Sequence, residues 1–311
     1  MELFRISKTI PFMRHAVLLN LVSLITFITA LFFIQKNGLN LSTEFTGGSV
    51  IEASYTGNKI ISLDKIRESF ADIDNYDKLQ IQYFGSSKEI MIKIPTLENN
   101  SEKHQINEIL SRLQKHEKSF QINKIEIIGP QVGEKLARDG LLALTMVIIG
   151  IITYLSFRFE WRLAVSGVIA NLHDVTIILG FFAFFHWEFS LAVLAGILAV
   201  LGYSVNESVI IMDRIRENCS KDSDYNVEDI INKSITQTIS RTIITHTSTQ
   251  FMVLSLFFFG GHSLHYFSIA LTIGIWFGIY SSIFISASLA MWLNFKGNKN
   301  ISKKNLTINK H

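Results

Sequence analysis

Six stretches of the chain are long apolar runs, at residues 16–34, 141–157, 163–185, 189–212, 239–259 and 266–293. A helix needs about 20 mostly apolar residues to cross a hydrocarbon core about 30 Å thick, and these runs approach or exceed that length. Backbone polar groups in lipid must be satisfied within the segment, so the pattern predicts six transmembrane helices. The first run follows Arg5, Lys8 and Arg14. It is longer than a signal-peptide core of about 7–15 residues, and no small-residue cleavage site follows it. It is read as an uncleaved first span.

Between the first two spans the periodicity changes. Residues 49–55 alternate as a strand does, and 61–70 have helical spacing. Residues 79–84 and 89–94 read as strands about a turn at Gly85-Ser86-Ser87, 101–118 as an amphipathic helix, and 120–128 as a closing strand of alternating Ile. Strand-helix-strand-strand-helix-strand is the ferredoxin-like order. The predicted fold class is thus a polytopic α-helical membrane protein, with six transmembrane helices and one exterior α+β (ferredoxin-like) domain. Its divisions are an N-terminus at 1–15, a first span at 16–36, the exterior domain at 37–138, spans two to six within 139–293, and a tail at 294–311. Within the polar loop at 213–238, Asp224 or Asn226 is placed to cap a helix over 227–239. That helix is expected to lie on the inner membrane surface and feed span five.

Composition agrees: charged residues make up 18% of the chain, against about 25% in soluble proteins. The net charge of +3 does not point to nucleic acid; the distribution of the basic residues says more. Lys and Arg precede span one, lie between spans two and three and between four and five, and follow span six. The short loops near 186–188 and 260–265 have neither. Both termini are therefore expected in the cytoplasm. The single cysteine, Cys219, excludes an intrachain disulfide and is expected to be a bystander thiol in a polar loop. No Walker-type loop, metal cluster or nucleophile constellation stands out, so no cofactor is expected.

Ionisable groups inside spans are costly and therefore informative. Asp174 lies at mid-depth in span three, with Asn171 one turn before it. Glu207 lies in Gly202-Tyr203-Ser204-Val205-Asn206-Glu207-Ser208 of span four. Arg241 opens span five, with Thr245 four residues on and His246 beside it. A neutral Asn or Ser would join helices at lower cost; a carboxylate is worth its desolvation chiefly if its proton is exchanged. Glu207 is expected to pair with Arg241 when ionised and to release it when protonated, with Thr245 carrying water or protons along the same face. His246 reads equally as a packing residue and a proton relay. Gly274 and Gly278 in span six read as helix-packing positions.

These residues also carry a resemblance covering nearly the whole chain. Glu44-Phe45-Thr46-Gly47-Gly48, Gly129-Pro130-Gln131-Val132-Gly133, Phe157–Arg162, Leu172-His173-Asp174, the stretch from Gly202 to Glu207 running into Asp213-Arg214-Ile215-Arg216-Glu217, and Thr236-Gln237-Thr238 with Arg241-Thr242 appear in this order. The set resembles the SecD/SecF family of the RND-type superfamily. That resemblance implies a periplasmic exterior domain, a bacterial inner-membrane location, and a role in protein export driven by proton flow rather than an enzymatic one. It implies three partners beside the bilayer: a SecD-like six-helix subunit, the Sec translocon channel and the translocating polypeptide. It links Glu207, Arg241 and Thr245 to ion conduction. The chain departs from the family pattern at Glu207 and Glu44, where Asp is usual, and at His246-Thr247, where small residues are usual. The competing readings are half of an RND-type exporter of small molecules or lipids, and a structural subunit that conducts no ions.

Overall fold

The structure, a computed structural model, describes residues 8–56, 62–70, 79–84, 86–94, 102–116, 120–221 and 226–293. A 3-10 turn at Phe12–His15 leads into α1 (Ala16–Asn37). Then come β1 (Asn40–Leu41), α2 (Thr43–Thr46), β2 (Gly48–Tyr55), α3 (Leu63–Phe70), β3 (Gln80–Phe84), β4 (Ser86–Ile94), α4 (Glu102–His116) and β5 (Phe120–Ile128). The chain continues through α5 (Pro130–Arg158), α6 (Trp161–Phe185), β6 (Glu188–Phe189), α7 (Leu191–Lys221) and α8 (Val227–Phe259). It ends in one rod made of α9 (Gly261–Tyr280), a π-helical segment (Ser281–Ser286) and α10 (Ala287–Trp292). Six helical segments are long and apolar enough to cross a membrane: α1 with its leading turn, α5, α6, α7, α8 and the final rod.

The spans divide into centre and rim. The apolar stretches of α6 and α7 are 56% buried, whereas those of α1 and α5 are 11% buried, which places the latter pair at the periphery. Glycines let the central rods meet closely. A Cβ on Gly274 would stand 2.2 Å from Val200 Cγ2, and one on Gly180 2.3 Å from Ala30 Cβ. Gly274 thus has the packing role predicted for it.

The unit between α1 and α5 is a four-stranded antiparallel sheet in the order β3-β4-β2-β5, the ferredoxin-like arrangement. Alternation puts Ile51 and Ala53 of β2, and Ile90 and Ile92 of β4, on one face. There they are buried with Ile66 and Phe70 of α3 and Ile109 and Leu113 of α4. This domain is moored to the hairpin joining α6 and α7. The two-residue strands β1 and β6 pair in parallel, Asn40 Nδ2 donates to His186 O at 3.0 Å, and Ser42 N donates to Phe189 O at 2.9 Å. Lys93 of β4 forms an ion pair with Glu188 at 2.7 Å, largely shielded from solvent.

Several boundaries differ from the sequence reading. Pro130, with no N–H to lose, starts α5 well before the apolar run begins. α7 continues beyond 212 to Lys221 and carries Cys219 with it, so this thiol is buried in a helix rather than placed in a polar loop. The stretch 227–239 is not a separate surface helix. It is the first third of α8, capped by Asn226, whose side chain accepts from Glu228 N at 3.2 Å. Ile230, Ile231 and Ile235 bury there against Met13 and Ile215, and that burial overrides the amphipathic reading. Asp224, Gly85 and the segments 1–7 and 294–311 lie outside the described residues.

Candidate functional site

Helical geometry gives α7 two distinct faces around Glu207. Ser204, Glu207 and Ser208 point inward, while Gly202 and Asn206 point outward. Glu207 is 3% exposed. Its Oε1 accepts a short hydrogen bond from Thr242 Oγ1 on α8, and its Oε2 lies 4.0 Å from His246 Nδ1. Thr242 Oγ1 is also 3.2 Å from Thr238 O. This set of contacts suits both states of the carboxyl group. Ionised, Glu207 accepts the Thr242 proton. Protonated, it donates to Thr242 Oγ1, and the hydroxyl turns its own hydrogen to Thr238 O. Neither state leaves a buried donor without an acceptor.

His246 closes the site one turn further along α8. Its Nδ1 lies 2.8 Å from Thr242 O. A carbonyl only accepts, so Nδ1 carries the hydrogen. The ring meets Tyr203 edge to face at 5.0 Å between centroids. Tyr203 is itself fixed by donating to Thr245 O at 3.1 Å and by sharing a hydrogen bond with Thr249 Oγ1 at 2.7 Å.

Asn206, Arg241 and Thr245 occupy the outward faces of the same two helices. Thr245 Oγ1 turns back to Arg241 O and Thr242 O at 3.0 and 3.1 Å. The structure therefore does not bring Arg241 to Glu207. Among the described residues the carboxylate has no ion pair with Arg241, and its neighbours are Thr242 and His246. The reason is the α-helical period: Thr238, Thr242 and His246 form one stripe at four-residue spacing, and Arg241 with Thr245 form the next. Both stripes are periodic and polar in the sequence, so periodicity alone did not choose between them.

A second carboxylate sits on the other side of α7. Asp174 of α6 is 0% exposed. Its Oδ2 accepts from Ser204 Oγ at 2.7 Å and Ser281 Oγ at 2.8 Å. Its Oδ1 lies 3.2 Å from His173 Nδ1, and His173 Nε2 lies 2.8 Å from Ser23 Oγ of α1. Four rods thus converge on one buried group. Ser281 opens the π-helical segment, and Asn20 of α1 donates to Phe284 O within it at 2.9 Å. Asn171 donates to Gly167 O at 2.8 Å and takes no part in the Asp174 cluster. His173, Ser204 and Thr242 stood in the motifs quoted from the sequence but, like Ser281, were given no role in the site, because serine and threonine are common in spans and the π turn shifts the helical register.

The two glycine-containing motifs meet at the end of the bundle that adjoins the sheet. Glu44 Oε2 accepts from Leu191 N at 2.7 Å and from Ser42 Oγ at 3.3 Å, and so it caps the first turn of α7, the helix that carries Glu207. Phe45 stacks on Phe189 at 5.9 Å. Thr46 closes α2 through Oγ1 to Ser42 O at 3.3 Å. Gly47 and Gly48 turn the chain into β2 with φ of 73° and 119°, the region open chiefly to glycine. Gly133 of α5 lies against this turn: a Cβ there would stand 2.7 Å from Gly47 N and 3.0 Å from Phe45 O. Gly129, Pro130 and Gln131 form the half-exposed to exposed entry to α5.

The family described as protein export membrane protein SecD/SecF, C-terminal, matches residues 108–296. The chain is 38% identical over 296 residues to a protein translocase subunit SecF of Vibrio alginolyticus, covering 95% of this chain and 93% of that one. It is 36% identical over 310 residues to one from Helicobacter pylori, covering 100% and 95%. Among solved structures, the crystal structure of SecDF from Thermus thermophilus, a translocon-associated membrane protein, aligns with a TM-score of 0.84 at 30% identity over 94% of this chain. The chain spans only 40% of that longer one. A second SecDF structure, in a super-membrane-facing form, aligns at 0.70 over 97% of this chain. Six apolar rods and relatives of this kind mark a multi-pass inner-membrane protein, and the chain belongs to the SecD/SecF family.

Proposed function

We propose that this chain is an accessory subunit of Sec protein export that couples proton flow to polypeptide movement, with Glu207 as the proton-exchanging group. The observation that carries this reading is a buried carboxylate whose hydrogen-bond partner Thr242 serves both protonation states. One charge crossing about 100 mV yields roughly 2.3 kcal/mol, which biases a two-state helix arrangement tens-fold. α7 runs from Glu44 at the exterior domain to Glu207, so a shift of this helix reaches the sheet through the cap and the Lys93–Glu188 pair.

In this reading both termini are cytoplasmic and the β2–β5 domain is periplasmic, where it meets emerging polypeptide. The outward faces of α7 and α8, with Asn206, Arg241 and Thr245, pack against a SecD-like six-helix subunit. The SecDF chains are more than twice as long as this one, as expected if they hold both halves. The test is gradient-driven export in inverted inner-membrane vesicles carrying Glu207→Gln, with assembly checked by co-purification. Stimulation by an imposed proton gradient should fall to the ungraded baseline. Full stimulation in an assembled complex would refute the coupling and leave a scaffold.

A further inference from the structure

Glu207 has been placed in a site whose nearest cationic-capable group is His246. The imidazole is 4% exposed, and Nδ1 stands 4.0 Å from the carboxylate. Nδ1–H is committed to Thr242 O at 2.8 Å, so proton uptake and loss at this ring occur at Nε2. The two groups share Thr242: its backbone carbonyl holds the imidazole, and its hydroxyl holds the carboxylate. A change at either is therefore felt at one residue.

The remaining surroundings are uncharged or turned away. From α7, Tyr203 and Glu207 are the titratable groups facing the ring. On α8 itself, Arg241 lies on the outward face. The hydrogen bond from Gln250 to Thr272, at 3.1 Å, aligns α9 so that residues 275–279 lie at this level, and none of them titrates. A carboxylate in such a setting is balanced by an imidazolium or by its own proton.

We propose that His246 and Glu207 act as one coupled proton-sharing pair, in which the imidazolium balances the ionised carboxylate on this chain's side of the site. The pair rests on the reading of Glu207 as the proton-exchanging group, and it gives that site a second, histidine-borne proton. When Glu207 binds a proton, the attraction that holds the proton on His246 is lost, so uptake at one group promotes release from the other.

The test is 15N NMR of histidine-labelled complex in nanodiscs recorded across about pH 5–8, with the His246 signal assigned by its loss in His246→Gln. An opposite charge within about 4–6 Å favours the charged form. Glu207→Gln should therefore lower the His246 imidazolium fraction several-fold, and Glu207→Asp, which keeps the charge, should restore most of it. An imidazolium fraction that is the same in wild type and Glu207→Gln overturns the pair, whatever happens to export. Loss of export with an unmoved histidine signal removes this inference and leaves the proposed function standing. A coupled histidine signal with intact export does the reverse.

Discussion

At the scale of single residues, Thr242 stands out because its one hydroxyl hydrogen has two acceptors at hand, Glu207 and Thr238 O. Thr242→Val keeps the shape and removes the exchange. A hydrogen bond to a charged group contributes about 1.5–3 kcal/mol, so gradient-driven export in vesicles should fall by about tenfold or more, while Thr242→Ser should keep most of it. The residue's importance was not legible beforehand. Glu207 and Asp174 announced themselves by the cost of a carboxylate in a span. Which stripe of α8 would face α7 could not be read from one sequence, since Thr238-Thr242-His246 and Arg241-Thr245 are both periodic and polar. Arg241 drew attention by its charge, and the helix turned the neighbouring stripe inward.

At the scale of elements, the motifs beside the sheet act through backbone geometry. Glu44 caps α7 at Leu191 N, and replacing a cap with Ala typically costs about 1 kcal/mol. Glu44→Ala should lower the thermal midpoint of the purified complex, and Glu44→Asp should recover part of the loss. Two glycines of one motif should behave oppositely. Gly133→Ala drives a methyl into the Phe45–Gly47 backbone, whereas nothing stands within 4 Å of a Cβ on Gly129. Overpacking costs about 1–3 kcal/mol, so Gly133→Ala should destabilise measurably in a thermal melt and Gly129→Ala should not by this route. On the face of the sheet opposite Ile51 and Ala53, burial raises the Glu52 carboxyl above its ordinary range; Lys124 opposes this, and Glu126 and Glu89 add to it. A folded-state acid that binds protons more tightly than the unfolded one gains stability as pH falls and loses it as pH rises through the raised value. Glu52→Gln should therefore stabilise the domain near neutral pH and flatten that slope, as read by melts across the acidic range. The ferredoxin-like order was legible from the periodicity, strand alternation with helical spacing between, although β5 buries no residue and the short β1 and β6 left no pattern. The π segment was not, because Ser281–Ser286 continues an ordinary apolar pattern.

At the scale of the whole molecule, the lateral surface is of two kinds. α1 and α5 expose Val17, Leu18, Leu21, Leu141, Leu142 and Met146, the side chains suited to lipid. One strip of α7 and α8 instead exposes Ala195, Ala199, Gly202, Asn206, Arg241 and Thr245, while elsewhere α8 exposes Ile243, Phe251, Met252 and Phe258. Small residues permit close helix approach, and polar ones are costly against hydrocarbon, so this second face is built for another set of helices. A bulky residue at its centre should block that contact without disturbing the chain's own core, since Ala199 points away from the residues that bury α7. Ala199→Trp should thus abolish co-purification with the six-helix partner while the variant keeps wild-type helical content by circular dichroism. Substituting Trp for the lipid-facing Leu142 should leave co-purification intact. If Ala199→Trp still assembles as wild type does, the partner packs elsewhere, and the outward Asn206, Arg241 and Thr245 must then be covered by some other helix of the complex.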